Sequence, residues 1–191
     1  MSVDADWLRA QRSLIGTTPP LDPQRIPDDP TELFRDWLST ASREGVPEPH
    51  AATLATVDAD GVPDARTLIL KEVSESGWAF AGPRSSRKGA QLAANPVAAL
   101  NFWWQPLVRA VRVRGAVREA SRADSEADLA ARSAAARADV APGDWVLWRI
   151  EPTWIEFWQG ASDRRHTRIV YLSREGAWCR AVHVAGLTQD E

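Results

Sequence analysis

The hydrophobic period of the chain changes at residue 45. Before it, Leu33, Phe34, Trp37 and Leu38 recur at helical spacing and predict one amphipathic helix near Pro30–Glu44. Asp29 suits its N-cap, Pro30 its first helical position, and Gly45 its end. After it, the period falls to two. "AATLATV" reads as a strand, "DADG" as a hairpin turn, and "VPDARTLILKEV" as a second strand. "SESG" turns into the strand "WAFAG". "RSSRKGAQLAANP" reads as a short helix with a serine start and an Asn-Pro stop. "VAALNFWWQ" and "VRAVRVRGAVREA" give two more strands. Ser121 opens an alanine-rich helix running to about Ala138. A strand near Trp145–Ile150, then "TWIEFWQ", then the hairpin "RIVYLS"–"REG"–"AWCRAVHV" complete the pattern.

About seven or eight strands joined mostly by hairpins, with few helices, predict a mainly β antiparallel barrel with peripheral helices. Residues 1–28, proline-rich toward their end, read as an arm and linker, and 29–191 as one domain. No internal repeat is visible.

Composition narrows the function classes. A net charge of −3 over 191 residues gives no reason to expect a nucleic-acid binder. One cysteine, Cys179, excludes an intramolecular disulfide and fits a reducing compartment. The acidic start "MSVDADWLRAQRS" has no apolar signal region, and no apolar run approaches about 18 residues, so a cytoplasmic chain without a membrane span is expected. Metal spacings, P-loop, GxGxxG and GxSxG are all absent. Ten tryptophans against one tyrosine suit core filling or stacking on planar ligands. Nearly every cation is arginine, and the only lysines are Lys71 and Lys88.

Four segments could carry chemistry. In "ARTLILK", Arg66 and Lys71 sit at opposite ends of an apolar strand and point to opposite faces, as rim cations or as snorkelling ends. In "SSRKG", Arg87 and Lys88 oppose the helix dipole, which a bound phosphate would explain and an exposed basic turn would also allow. In "VRVRGAVR", Arg112, Arg114 and Arg118 share a face that reads as solvated. In "IEFWQGASDRRHTRIVY", Arg164, Arg165, His166 and Arg168 crowd behind an aromatic strand, which fits an anionic or planar ligand as well as it fits a solvated loop.

Taken in order, "RTLILK", "SSRKG" and "IEFWQG" followed by Arg164, Arg165, His166 and Arg168 resemble the pyridoxamine 5′-phosphate oxidase family, over about Asp29 to Val184. The resemblance implies an FMN-binding split β-barrel of six to eight strands, homodimeric, with FMN at the subunit interface. It implies that Arg66, Ser86, Arg87 and Lys88 hold the FMN phosphate. Thr67, Leu68 and Ile69 would lie along the flavin with Lys71 near it, and Ala81 and Gly82 would add contacts. Trp158 and Arg168 would reach the flavin from the partner. Lys71, Arg164 and His166 would hold substrate over the ring, Arg164 and His166 as the catalytic pair. The implied reaction passes a hydride to flavin N5, with dioxygen as acceptor and peroxide as product.

Several positions depart from the family pattern. The family binds the substrate phosphate with a tyrosine and then an arginine and a serine in an "RPR.SQIGAW"-like run; in "EADLAARSAAARADV" Asp128 stands at or next to the tyrosine position, Ala134 where the second arginine of the run would be, and only Arg132 of the run remains. A following segment of about thirty residues is replaced by "APGDWVLWRI". A flavin-contacting glutamine is Ala110, and an aromatic position is Ala81. Charge-assisted partners contribute roughly 1.5–3 kcal/mol each, so two losses weaken a phosphate by about a hundred-fold or more. The expectation is therefore a small amine or a dihydroaromatic as substrate, as in relatives that finish phenazine synthesis. Alternatives are pyridoxine/pyridoxamine 5′-phosphate oxidase itself, a non-catalytic binder of flavin or pyridoxal phosphate, and a deazaflavin or haem on the same scaffold.

Overall fold

The computed structural model describes residues 4–185. A short helix α1 (Ala5–Arg9) and an extended arm precede α2 (Pro30–Arg43), whose N-cap Asp29 accepts from Thr31 N. Its apolar stripe buries Leu33, Phe34 and Trp37 against a single antiparallel sheet. Phe34 meets Trp78, Phe102 and Trp104, while Trp37 meets Phe157 edge-on. Truncating a buried aromatic of this kind costs about 3–5 kcal/mol, so α2 closes the core and is not a peripheral ornament.

The sheet has nine strands: β1 (Ala51–Val57), β2 (Pro63–Ile69), β3 (Glu72–Ser74), β4 (Gly77–Pro83), β5 (Val97–Trp104), β6 (Arg109–Glu119), β7 (Trp145–Gln159), β8 (Thr167–Arg174) and β9 (Ala177–Val184). The order β2-β1-β5-β6-β7-β4-β3, with β8 beside β7 and β9 beside β8, curls into a half-barrel. β7 organises it. Its first half pairs with β4, its second half with β8, and β6 runs along both. The register of β6 against β7 shifts at Arg114/Gly115, where a Cβ on Gly115 would lie 1.9 Å from Glu151 O. Glycine there lets the two long strands bend together.

Alternation explains the layers. Val111, Val113, Ile155 and Phe157 point into the core, while Arg112 and Arg114 stay exposed on the other face. Four tryptophans, Trp37, Trp78, Trp104 and Trp148, fill the core, and Trp103 is left 48% exposed.

Three boundaries differ from the sequence pattern. The run read as one strand to Val73 breaks at Lys71, giving the extra short strand β3 and a total of nine. The alanine-rich helix splits into α4 (Arg122–Ala130) and α5 (Ala134–Arg137). The split falls where Arg132 lies over the Trp145 ring at 4.5 Å and Ser133 starts a new cap. The two segments before Gln159 are one fifteen-residue strand.

Candidate active site

The first group of residues converges on α3 (Arg87–Ala94). Ser86 is its N-cap, accepting from Gly89 N at 3.3 Å and donating to Pro83 O at 2.6 Å. The first turn therefore presents free backbone N–H groups beside Arg87 and Lys88. Lys88 is half-buried, its Nζ 3.3 Å from Ser86 Oγ and 5.7 Å from the centre of the Trp148 ring. Burial, then the nearby Arg66 cation, push its ammonium below the usual lysine range. A Cβ on Gly82 would fall 2.1 Å from that Nζ, so glycine leaves the lane in which Lys88 lies.

Arg66 enters from β2. With Asp64 and Leu68 it faces inward, while Thr67 is exposed on the other side. Its Nη1 donates to Thr56 Oγ1 at 2.5 Å and its Nη2 to Gln91 Oε1 at 2.9 Å, with Asp64 Oδ2 at 2.8 Å. Thr56 and Gln91 are buried and bonded to each other at 2.6 Å. Arg87 stands 3.7 Å from the same Asp64. Arg66 and Arg87 thus share one carboxylate, while Lys88 and the helix start have none. That excess of donors suits a phosphate monoester.

Beyond Arg66, Leu68 and Ile69 are half-buried and Lys71 is exposed, its backbone N bonded to Ala79 O. β2 is an edge of the sheet, so one side of its backbone is unpaired. Ala81 and Gly82 lie on β4, opposite Leu147 and Val146. Ser85 is engaged elsewhere, donating from N and Oγ to Asp144.

The second group sits at the far end of β7. Trp158 pairs across strands with Arg168, and its ring lies 5.1 Å from His166 and 6.1 Å from Trp103. Arg168 donates to Glu156 Oε2 at 3.0 Å, and Arg112 holds Oε1 through Nε at 3.0 Å and Nη2 at 2.6 Å. Glu156 is buried, and two guanidinium groups compensate it. In the following loop Ala161 N donates to His166 Nδ1 at 3.0 Å, which leaves the proton of a neutral ring on Nε2. Arg165 is tied to Asp163. Arg164 adopts φ 66°, and its side chain has no hydrogen bond or ion pair among the described residues.

Within one chain the two groups lie toward opposite ends of β7. Trp148, beneath Lys88, and Trp158, beside Arg168, are ten residues apart on β7, about 30 Å at an extended rise. In the other direction, β1, β5, β6 and β7 stand between β2 and β8.

The sequence reading missed several supporting residues. Thr56 and Gln91 hold Arg66, Trp148 underlies Lys88, and Glu156 aligns Arg112 with Arg168. Glu156 had a signal: an acid between Ile155 and Phe157 in an apolar strand, in a sequence rich in arginine. Asp128 accepts from Trp145 Nε1 at 2.8 Å, beneath Arg132, whose Nε is buried without a partner among the described residues. Ala110 lies between Trp103 and Trp158, and Ala134 opens α5.

A family model described as pyridoxamine 5′-phosphate oxidase matches residues 38–159. A second, for the pyridoxine 5′-phosphate oxidase C-terminal dimerisation region, matches 145–182. The pyridoxine/pyridoxamine 5′-phosphate oxidase of Thermosynechococcus vestitus is 41% identical over 184 positions, covering 80% of this chain and 87% of that protein. That of a Janthinobacterium species is 34% identical, covering 93% and 95%. In the first alignment 184 positions meet 80% of 191 residues, so roughly thirty positions of the relative have no counterpart here. Among solved structures, PhzG from Burkholderia lata 383, in complex with tetrahydrophenazine-1-carboxylic acid, superposes with a TM-score of 0.81 at 24% identity. The match covers 88% of this chain and all of that one. A pyridoxamine 5′-phosphate oxidase-related, FMN-binding protein of Nostoc punctiforme gives 0.69 at 17% identity, covering 83% and 98%.

Proposed function

The chain belongs to the pyridoxamine 5′-phosphate oxidase family, and we propose that it is a homodimeric FMN-dependent oxidase. Its substrate is a small amine or dihydroaromatic compound. The observation that carries this reading is the corner of Arg66, Lys88 and the α3 start, a donor set with one carboxylate that fits the FMN phosphate. Bound FMN would accept a hydride at N5 and return the electrons to dioxygen, giving hydrogen peroxide.

The protein's part is binding and orientation. Arg66, Ser86, Arg87 and Lys88 hold the phosphate. Thr67, Leu68, Ile69, Lys71, Ala81 and Gly82 line the flavin from the same chain. Trp158 and Arg168 come from the other chain, since about 30 Å of β7 separates them from the phosphate corner. Arg164 and His166 face the substrate with Lys71. Arg164 is free to hold an anionic or electron-rich group, and His166 carries an Nε2 proton fixed by the Ala161 bond.

Two observations favour an unphosphorylated substrate. Asp128 puts a carboxylate in the stretch where the family pattern has its phosphate-binding tyrosine, and the Burkholderia lata protein of the same fold holds tetrahydrophenazine-1-carboxylic acid, a partly reduced ring acid without a phosphate. A second reading, pyridoxine/pyridoxamine 5′-phosphate oxidase itself, is favoured by the names of the relatives and by Lys71, Arg132, Arg164 and His166.

Aerobic peroxide detection separates them, using pyridoxine phosphate, pyridoxamine phosphate, unphosphorylated amines and dihydroaromatic acids. Turnover confined to the phosphorylated pair selects the second reading. FMN binding without turnover of any of them leaves a non-catalytic flavin protein. Protein that takes up no FMN overturns both oxidase readings.

A further inference from the structure

We infer that the cavity between the N-terminal arm and α2 binds a small oxyanion, a carboxylate or a phosphate, on the guanidinium of Arg109. This inference does not depend on the oxidase reading. Arg109 opens β6 and is 3% exposed. Its Nε donates to Gln159 Oε1 at 2.7 Å, and its guanidinium lies over the Trp37 ring at 4.1 Å. Those two contacts fix the plane of the fork. Nη1 and Nη2 meet no acceptor among the described residues, and no described carboxylate forms an ion pair with Arg109. It nevertheless lines a cavity of about 680 Å³, with Trp37, Leu107, Thr40, Thr17 and Thr18 among the walls.

Charge is layered in this cavity. At the rim, Arg25 and Arg43 stand with Asp22, Asp36 and Glu44, all exposed to water. On the floor Arg109 is the only charge. Burial lowers its pKa to about 10, so it remains a cation at neutral pH. The guanidinium has no ion-pair partner among the described residues, and its two free donors open on the cavity, where an anion can take the place of water. A planar carboxylate, or two oxygens of a phosphate, matches the open side of the fork.

A wall of the cavity is also bonded to the start of the loop that carries Arg164 and His166. Gln159, which anchors Arg109, donates its Nε2 to Pro19 O at 3.1 Å, and Thr18 donates to Gly160 O at 3.3 Å. An anion seated on Arg109 would therefore brace the arm against the start of that loop.

The test uses the full chain with excess FMN, and beside it the Arg66→Ala, Lys88→Ala variant, in which the α3 corner is removed as a phosphate site whether or not FMN binds. Inorganic phosphate and benzoate are titrated separately by calorimetry and by thermal unfolding. Saturable binding of either, with a rise in Tm, is expected; which of the two binds tells a phosphate ligand from a carboxylate. Arg109→Gln should weaken that binding at least tenfold. So should Thr40→Trp, which fills the cavity from α2 and keeps the proposal testable if Arg109→Gln does not fold. Absence of saturable binding of both anions overturns the proposal, and so does binding that Thr40→Trp leaves unchanged.

Discussion

The corner around α3 and the corner at the end of β7 stand on the same long strand, yet they are built differently. In the first, Arg66 has partners from β1, β2 and α3, and Lys88 is sunk between Gly82 and Trp148. In the second, Trp158, Trp103 and His166 form an aromatic shelf on the outer sheet face, and Arg164 has no side-chain partner among the described residues. The first corner is braced within its own chain. The second has its supports within the chain but its working groups turned outward. That asymmetry is what a site shared between two chains requires, and it matches a C-terminal segment similar to a dimerisation region.

The largest effect should come from separating the corners genetically. Arg66→Ala with Lys88→Ala removes two charge-assisted partners of the phosphate. At roughly 1.5–3 kcal/mol each, FMN binding should weaken by about a hundred-fold or more. Trp158→Ala with Arg168→Ala should also deplete FMN. A heterodimer of one variant chain with the other should regain one FMN per two chains, because one of its two sites is then wholly intact. Flavin content after tandem purification of differently tagged chains checks this. Heterodimers as empty as both parents would mean that each site is made by one chain.

The next effect concerns the outer corner alone. Arg164→Ala and His166→Ala should each lower kcat/KM by about ten- to a hundred-fold through lost substrate positioning, with FMN content unchanged. Steady-state kinetics beside flavin absorbance decides it. Loss of FMN in both variants would make these residues cofactor ligands.

The two corners also differ in how far the sequence disclosed them. "SSRKG" is contiguous, so the cap, the dipole and both cations could be read together, and Ser86 is indeed the N-cap of α3. What orients Arg66 could not be read that way. Thr56 and Gln91 are 35 residues apart, and only the pairing of β1 with β2 and the seat of α3 bring them to one guanidinium. Alternation fixed the inward face of β2 and the strand content of the half-barrel, but it could not show that β3 is separate. Nor could it show that two apolar segments are one strand across a bulge, because a register shift has no periodic signature. The alanine-rich run favoured one helix by propensity. Tertiary contact between Arg132 and Trp145 and the Ser133 cap divide it.

A smaller effect sharpens the inner corner. Gly82→Ala would put a methyl 2.1 Å from the present position of Lys88 Nζ. The lysine can swing away, so the fold should survive, with Tm lowered by a few degrees at most. FMN affinity should fall about tenfold, the loss of one displaced charge partner. A fluorescence titration of FMN measures it. An unchanged Kd would show that Lys88 reaches the phosphate from another direction and that Gly82 serves only the packing on Trp148.

The smallest effect is expected at Arg165. Its neighbour Arg164 shares its charge, its exposure and the same loop, so the pair separates two accounts of why cations crowd there. If the loop attracts an anion by its summed field, removing either arginine should matter equally, and added salt should erase the difference. If placement matters, Arg165 should be dispensable, because its guanidinium is already spent on Asp163 at 2.7 Å while that of Arg164 is uncommitted. An exposed pair of this kind contributes at most about 1 kcal/mol. Arg165→Ala should therefore leave FMN content, kcat/KM and Tm within error of the parent protein. A fall in kcat/KM as large as that of Arg164→Ala, vanishing in high salt, would favour the field and remove the distinction between the two arginines.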